Sequence, residues 1–110
     1  MLSYCISENL RDYIHSFQKP TQAQVLKLVA LLEQFGSELR MPYSKQLRPN
    51  LYELRIRGKE EIRIFYCFHH DAAVLLHAYK KKSQKMPLKE ISHAEKMLKH
   101  LKKDSIYAIK

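Results

Sequence analysis

Apolar and polar residues change their period along this chain, and the changes divide it into helices, strands and a final helix. Leu10, Tyr13, Ile14 and Phe17 recur at helical spacing. They predict a first helix that starts near Ser7 or Glu8 and ends before Pro20. Thr21 is followed three residues later by Gln24, the form of a capping box in which a hydroxyl accepts a backbone N–H at a helix start. A second helix is expected from there to Phe35. Gly36 should stop it, because glycine takes a left-handed conformation without steric cost. Residues 37–50, with Pro42 and Pro49, read as irregular.

From residue 51 the period becomes two. Tyr52, Leu54 and Ile56 alternate with Glu53, Arg55 and Arg57; Ile62, Ile64, Tyr66 and Phe68 alternate with Glu61, Arg63, Phe65 and Cys67. Both runs predict strands. A third strand is expected at 73–79, after the polar turn His69-His70-Asp71, and residues 2–6 offer a short additional one. After Pro87, Leu88, Ile91, Ala94, Leu98 and Leu101 form one stripe of an amphipathic helix. The predicted fold is α+β, a single domain over 1–110. Two N-terminal helices pack on a small antiparallel twisted sheet, and an amphipathic helix ends the chain.

The first hairpin has a preferred register. With Gly58-Lys59-Glu60 as its loop, Arg57 faces Glu61, Ile56 faces Ile62 and Leu54 faces Ile64. Arg55 then faces Arg63 on the other side. This register satisfies the apolar face and an ion pair near the turn together. Two arginines side by side cost stability and suit a phosphate, which guanidinium groups bind in bidentate fashion. Splaying into solvent, or pairing with Glu53, is the plain structural alternative. If Val74, Leu76 and Ala78 face the core, His77 and Tyr79 share the arginine face.

Charge sharpens this picture. Twenty Lys and Arg against eleven Asp and Glu leave the chain at +9, with a pI near 9.6. A surplus of this size favours a polyanion, nucleic acid first, then an acidic protein or a membrane surface; plain solubility is the bland reading. Lys80, Lys81, Lys82 and Lys85 follow the third strand, where basic and aromatic groups together suit single-stranded RNA. Two cysteines without CxxC spacing point to free thiols in a reducing, cytoplasmic setting. No signal-peptide pattern opens the chain. Its longest strongly apolar run, 25–32, is interrupted by Lys27 and falls far short of the roughly 20 residues of a membrane span, so no membrane partner is expected.

The run LYELRIRGKEEIRIFYCF, a strand ending LLHAYKKKSQKMP and the basic helix after it resemble the RelE superfamily of toxin–antitoxin toxins. Within it they look most like the phage-related HigB-like branch. The motifs span residues 47–91, and the two preceding helices match the family's order. The resemblance implies a toxin that cleaves messenger RNA, often within a translating ribosome. It also implies neutralisation by a cognate helix-turn-helix, HigA-like antitoxin. Arg55 and Arg63 match family positions that grip and polarise the scissile phosphate, and Lys81 and Lys82, with Lys85 as a further candidate, fall where the family supplies further basic groups. Glu53 departs from the family, many of whose members carry a basic residue there. It reads as a base or as a group that orients the arginines.

The implied reaction is transesterification by the ribose 2′-OH. It needs a base, a stabilised phosphorane and an acid, and no metal or other cofactor. The chain has no HExxH and no CxxC. Glu53 and His77 are the candidate base and acid; an ion-pairing Glu53 and a structural His77 are their plain alternatives. Tyr79 would stack on a base or donate a proton, and Tyr107 in the tail is a further candidate. The adjacent His69 and His70 point apart on a strand and seldom chelate one ion. Rival readings are a ParE-like toxin of DNA gyrase and a non-catalytic basic RNA-binding module.

Overall fold

A computed structural model describes residues 2–103, so Tyr107 and the rest of the tail lie outside the described residues. Strand β1 (Ser3–Ile6) leads into helices α1 (Glu8–His15) and α2 (Lys19–Phe35). A 3₁₀ turn, Gly36–Glu38, precedes β2 (Ser44–Arg48), β3 (Leu51–Ile56), β4 (Ile62–His69) and β5 (Ala72–Lys80), and α3 (Leu88–Lys103) follows. The strands form one sheet in the order β1-β5-β4-β3-β2.

Local chemistry sets most of these boundaries. Ser7 caps α1, its side chain accepting from the Leu10 N–H at 3.2 Å. The expected capping box at Thr21 is not formed. Pro20 sits in the first turn of α2, where its fixed φ suits the helix and its missing N–H costs nothing. The helix therefore starts earlier, with Gln18 as N-cap, and Thr21 is buried inside it. Gly36 ends α2 at φ +55°, as expected.

The sheet departs from expectation in three places. Residues 44–48 form an edge strand antiparallel to β3. Its sequence, SKQLR, lacks the alternation that marks a strand with one buried face, because an edge strand needs no such face. The sheet is mixed rather than antiparallel throughout, since β1 pairs parallel to β5. Finally, β5 carries an extra residue, Leu76, between Leu75 opposite Tyr66 and His77 opposite Phe65. This bulge reverses the parity of the strand behind it. Val74 and Leu76 consequently leave the face expected for them, and Ala73 and Leu75 take their place.

Both faces of the sheet are covered. Leu54, Ile56, Ile62, Ile64, Tyr66 and Leu75 pack under α1 and α2 against Leu10, Ile14, Phe17, Val25, Val29 and Leu32. On the other face Leu51, Phe65, Cys67, Val74 and Leu76 pack under α3 against Ile91, Ala94, Leu98 and Leu101. Leu88, the expected start of that stripe, is exposed. Burial on two sides explains why β4 reads as an almost unbroken apolar run with one charge in it, Arg63.

Candidate catalytic face

The hairpin register is the expected one: Leu54 pairs with Ile64, Arg55 with Arg63 and Ile56 with Ile62. The ladder stops there, so Arg57 and Glu61 are not partners in it. Register with β5 extends the pattern into two rows across three strands. One row is Glu53, Phe65 and His77; the next is Arg55, Arg63 and Tyr79. Directly opposite residues share a face, so both rows lie on the α3 side of the sheet. The structure thus brings Glu53, Arg55, Arg63, His77 and Tyr79 together.

The arginine row is not a solvent-exposed patch. Arg63 is 1% exposed, Glu53 7% and Tyr79 9%. Glu53 Oε1 lies 3.8 Å from the Nε of both Arg55 and Arg63, so one carboxylate is shared by two guanidinium groups. Glu61 adds a longer contact, 3.9 Å from Arg63 Nη2. The Nη1 of Arg55 donates to the Met41 sulfur at 3.3 Å. Even so, Arg55 Nε, Arg63 Nε, Arg63 Nη1 and Tyr79 Oη are buried with no hydrogen-bond partner among the described residues. Each such donor costs about 1–3 kcal/mol, and more when charged.

Burial acts on these groups in opposite senses. It lowers the Arg63 pKa, with Arg55 adding to the effect and Glu53 opposing it. A guanidinium remains protonated regardless. Burial, and then the Glu53 carboxylate, push the Tyr79 phenol up to about 12. Tyr79 is therefore a hydrogen-bond donor at neutral pH and is not a base.

His77 lies at the mouth of a cleft of about 560 Å³ between α1, β5 and α3. Tyr13, Asn9, Tyr79, Glu90 and His93 also line it. The Nε2 of His77 bonds Glu90 Oε1 at 2.6 Å, and the His93 ring centroid is 4.5 Å from that of His77. Phe65, in the row with Glu53 and His77, stacks on both aromatic neighbours, its ring centroid 5.6 Å from that of Tyr79 and 6.3 Å from that of His77. Sequence reasoning missed Glu90 and His93. Their signal was a second stripe on α3, at 90, 93 and 97, beside the apolar one at 91, 94 and 98.

The lysines divide. Lys80 points to the opposite face, with Nζ 2.9 Å from Glu60 Oε2 and 5.4 Å from the Phe17 ring centroid. Its bond to Glu60 raises its pKa. The structure does not bring Lys80 to the candidate face. Lys81 is half-buried where β5 ends, its N–H donating to Glu61 O, and Lys82 and Lys85 are exposed beyond it. The rings of His69 and His70 touch at 4.0 Å at the β4–β5 turn. Among the described residues no three His, Cys, Asp or Glu side chains are grouped to hold a metal ion, and no helix is long and apolar enough to cross a membrane.

Comparison with known proteins agrees with this architecture. The fold is similar to that of the E. coli toxin RelE, solved in the free state as a double arginine-to-alanine mutant. The TM-score is 0.64 at 15% identity, covering 86% of this chain and 95% of that one. No curated protein sequence matches the chain. A family model, phage derived protein Gp49-like (DUF891), matches residues 12–99. The chain therefore belongs to the phage-derived Gp49-like family and has a RelE-like fold.

Proposed function

We propose that this chain is the toxin of a toxin–antitoxin pair and that it cleaves messenger RNA, on the translating ribosome, in the cytoplasm. Membership of the Gp49-like family and the fold shared with a toxin support the first part. One observation carries the second: buried donors on Arg55, Arg63 and Tyr79 stand side by side without hydrogen-bond partners among the described residues. A row of cationic and phenolic donors left unfilled in a low-dielectric setting is suited to charge that appears only during a reaction. A pentacoordinate phosphorane is such a charge.

The flanking row supplies the proton transfers. Glu53 on β3 takes the proton from the ribose 2′-OH, whose oxygen forms a bond to phosphorus. His77 on β5 gives a proton to the 5′-oxygen as its bond to phosphorus breaks. In-line displacement puts entering and leaving oxygens on opposite sides of phosphorus. Two strand spacings, about 10 Å between Cα atoms, separate base and acid in that sense, with the arginine row beside them. Tyr79 and the rim residues Lys81, Lys82 and Lys85 hold the RNA. Lys80, paired on the other face, is left out. The partner that silences this face is a helix-turn-helix antitoxin of the HigA-like kind, as the HigB-like resemblance implies.

Purified chain incubated with messenger RNA, with and without ribosomes, tests the reading. Cleavage is expected, and its loss in Arg55→Ala with the fold intact by circular dichroism. Intact RNA under both conditions, with DNA supercoiling by gyrase blocked instead, overturns it.

A further inference from the structure

We infer that Glu90 is a positioning residue that fixes the tautomer of His77 and makes it the proton donor to the leaving 5′-oxygen. The inference rests on the nuclease reading above and adds a residue from a different element. Glu90 Oε1 holds His77 Nε2 at 2.6 Å across the junction of α3 and β5. That bond occupies one ring nitrogen, so Nδ1 is the nitrogen left to exchange a proton with substrate. A carboxylate on one ring nitrogen orients the imidazole, fixes its tautomer and stabilises its cationic form.

The setting supports an anionic Glu90. It lies in the first turn of α3, where the helix dipole favours negative charge. Its side chain is 34% exposed and that of His77 25%, so the pair is sheltered and still open to the cleft. The titratable groups facing His77 are Glu90 and His93 from α3, Tyr79 from its own strand and Tyr13 from α1 across the cleft. Phe65 closes the β4 side with a ring stacked on His77. Among the described residues Glu90 is the one carboxylate lining the cleft. In the step, the Nδ1 proton of the imidazolium passes to O5′ as the phosphorus–oxygen bond breaks, and solvent returns a proton to Nδ1.

Two measurements on the full chain test this. Nitrogen-15 NMR of the His77 ring reads its tautomer without any substrate. Wild type is expected to carry the proton of the neutral ring on Nε2, and Glu90→Ala to lose that preference. Cleavage kinetics read the catalytic role. Glu90→Gln keeps an oxygen that can accept from Nε2, so it should restore the tautomer and most of the kcat that Glu90→Ala loses, with KM unchanged. Glu90→Ala should lower kcat by about 10–100-fold, by analogy with the loss of the outer hydrogen-bond partner of a metal-bound histidine. Unchanged ring nitrogen shifts in Glu90→Ala overturn the inference whether or not the chain cuts RNA. So does a Glu90→Gln variant that restores nothing Glu90→Ala has lost. A wild type with the expected tautomer and no RNA cleavage overturns the nuclease reading, and the proton-donor role with it.

Discussion

Replacing Arg63 with methionine should leave the chain as stable as wild type, or more stable, while lowering kcat by about 10²–10³. Arg63 is 1% exposed, and two of its nitrogens lack hydrogen-bond partners among the described residues. Among the described residues its carboxylate contacts are long, 3.8 Å to Glu53 and 3.9 Å to Glu61. Taking an ion out of water costs several kcal/mol even after relaxation, and contacts of this quality repay little of it. Methionine has similar length and no donors to strand. Glu53 would keep Arg55 at 3.8 Å, and Glu61, which loses its contact to Arg63, is 41% exposed and stays solvated. Exchanging a poorly satisfied buried ion for an apolar isostere is neutral or stabilising by about 1–4 kcal/mol. For a domain of this size, each 1 kcal/mol moves Tm by roughly 4–8 °C. Losing one donor to a transition-state oxyanion should cost about 10²–10³ in kcat. Urea and thermal unfolding followed by circular dichroism, beside RNA cleavage, measure both. Destabilisation by about 3–5 kcal/mol, the cost of breaking a genuine buried ion pair, refutes the reasoning. Arg63 would then be a structural partner of Glu53.

Other parts of the account are open to simpler checks. Tyr79→Phe should reduce cleavage by about 10–100-fold, matching one charge-assisted hydrogen bond of roughly 1.5–3 kcal/mol. Because the Tyr79 phenol is pushed up to about 12, the wild-type pH–rate profile should show no loss assignable to it below about pH 11. Lys81→Gln and Lys82→Gln should each weaken RNA binding and lower its salt slope by about one, whereas Lys80→Gln should leave that slope unchanged. Leu32→Ala, at a fully buried position between α2 and the sheet, should destabilise the fold by about 2–5 kcal/mol in urea titration.

The hairpin was legible from its apolar face and its loop, although the Arg57–Glu61 pair also expected near the turn is not part of the ladder. The apolar alternation and the short Gly58 turn both place Leu54 opposite Ile64, and Arg55 opposite Arg63 follows from parity alone. Helix α3 was legible from its stripe for a similar reason. Three features left no comparable trace. The bulge at Leu76 lies in a run, Val74-Leu75-Leu76, whose residues suit either face equally. Strand β2 is a polar edge held by backbone pairing rather than by burial. The start of α2 follows Pro20 rather than Thr21, a contest between two signals that spacing alone does not decide.

The site was read in the same partial way. His77 and Tyr79 belong on the arginine face, although Val74 and Leu76, expected on the other side, share it through the bulge. The burial of the arginine row was not foreseen, because a basic strand between charged neighbours reads as solvated. Glu90 and His93 were hidden by tertiary structure, since only the docking of α3 beside β5 carries them to His77.

The most direct test of the central claim is end-group analysis of messenger RNA treated with the purified chain, with and without ribosomes. New 5′-hydroxyl ends paired with 2′,3′-cyclic phosphate or its hydrolysis product are expected with wild type, and with Arg63→Met they should form about 10²–10³-fold more slowly. Intact RNA, or the same ends formed equally fast by Arg63→Met, contradicts that claim.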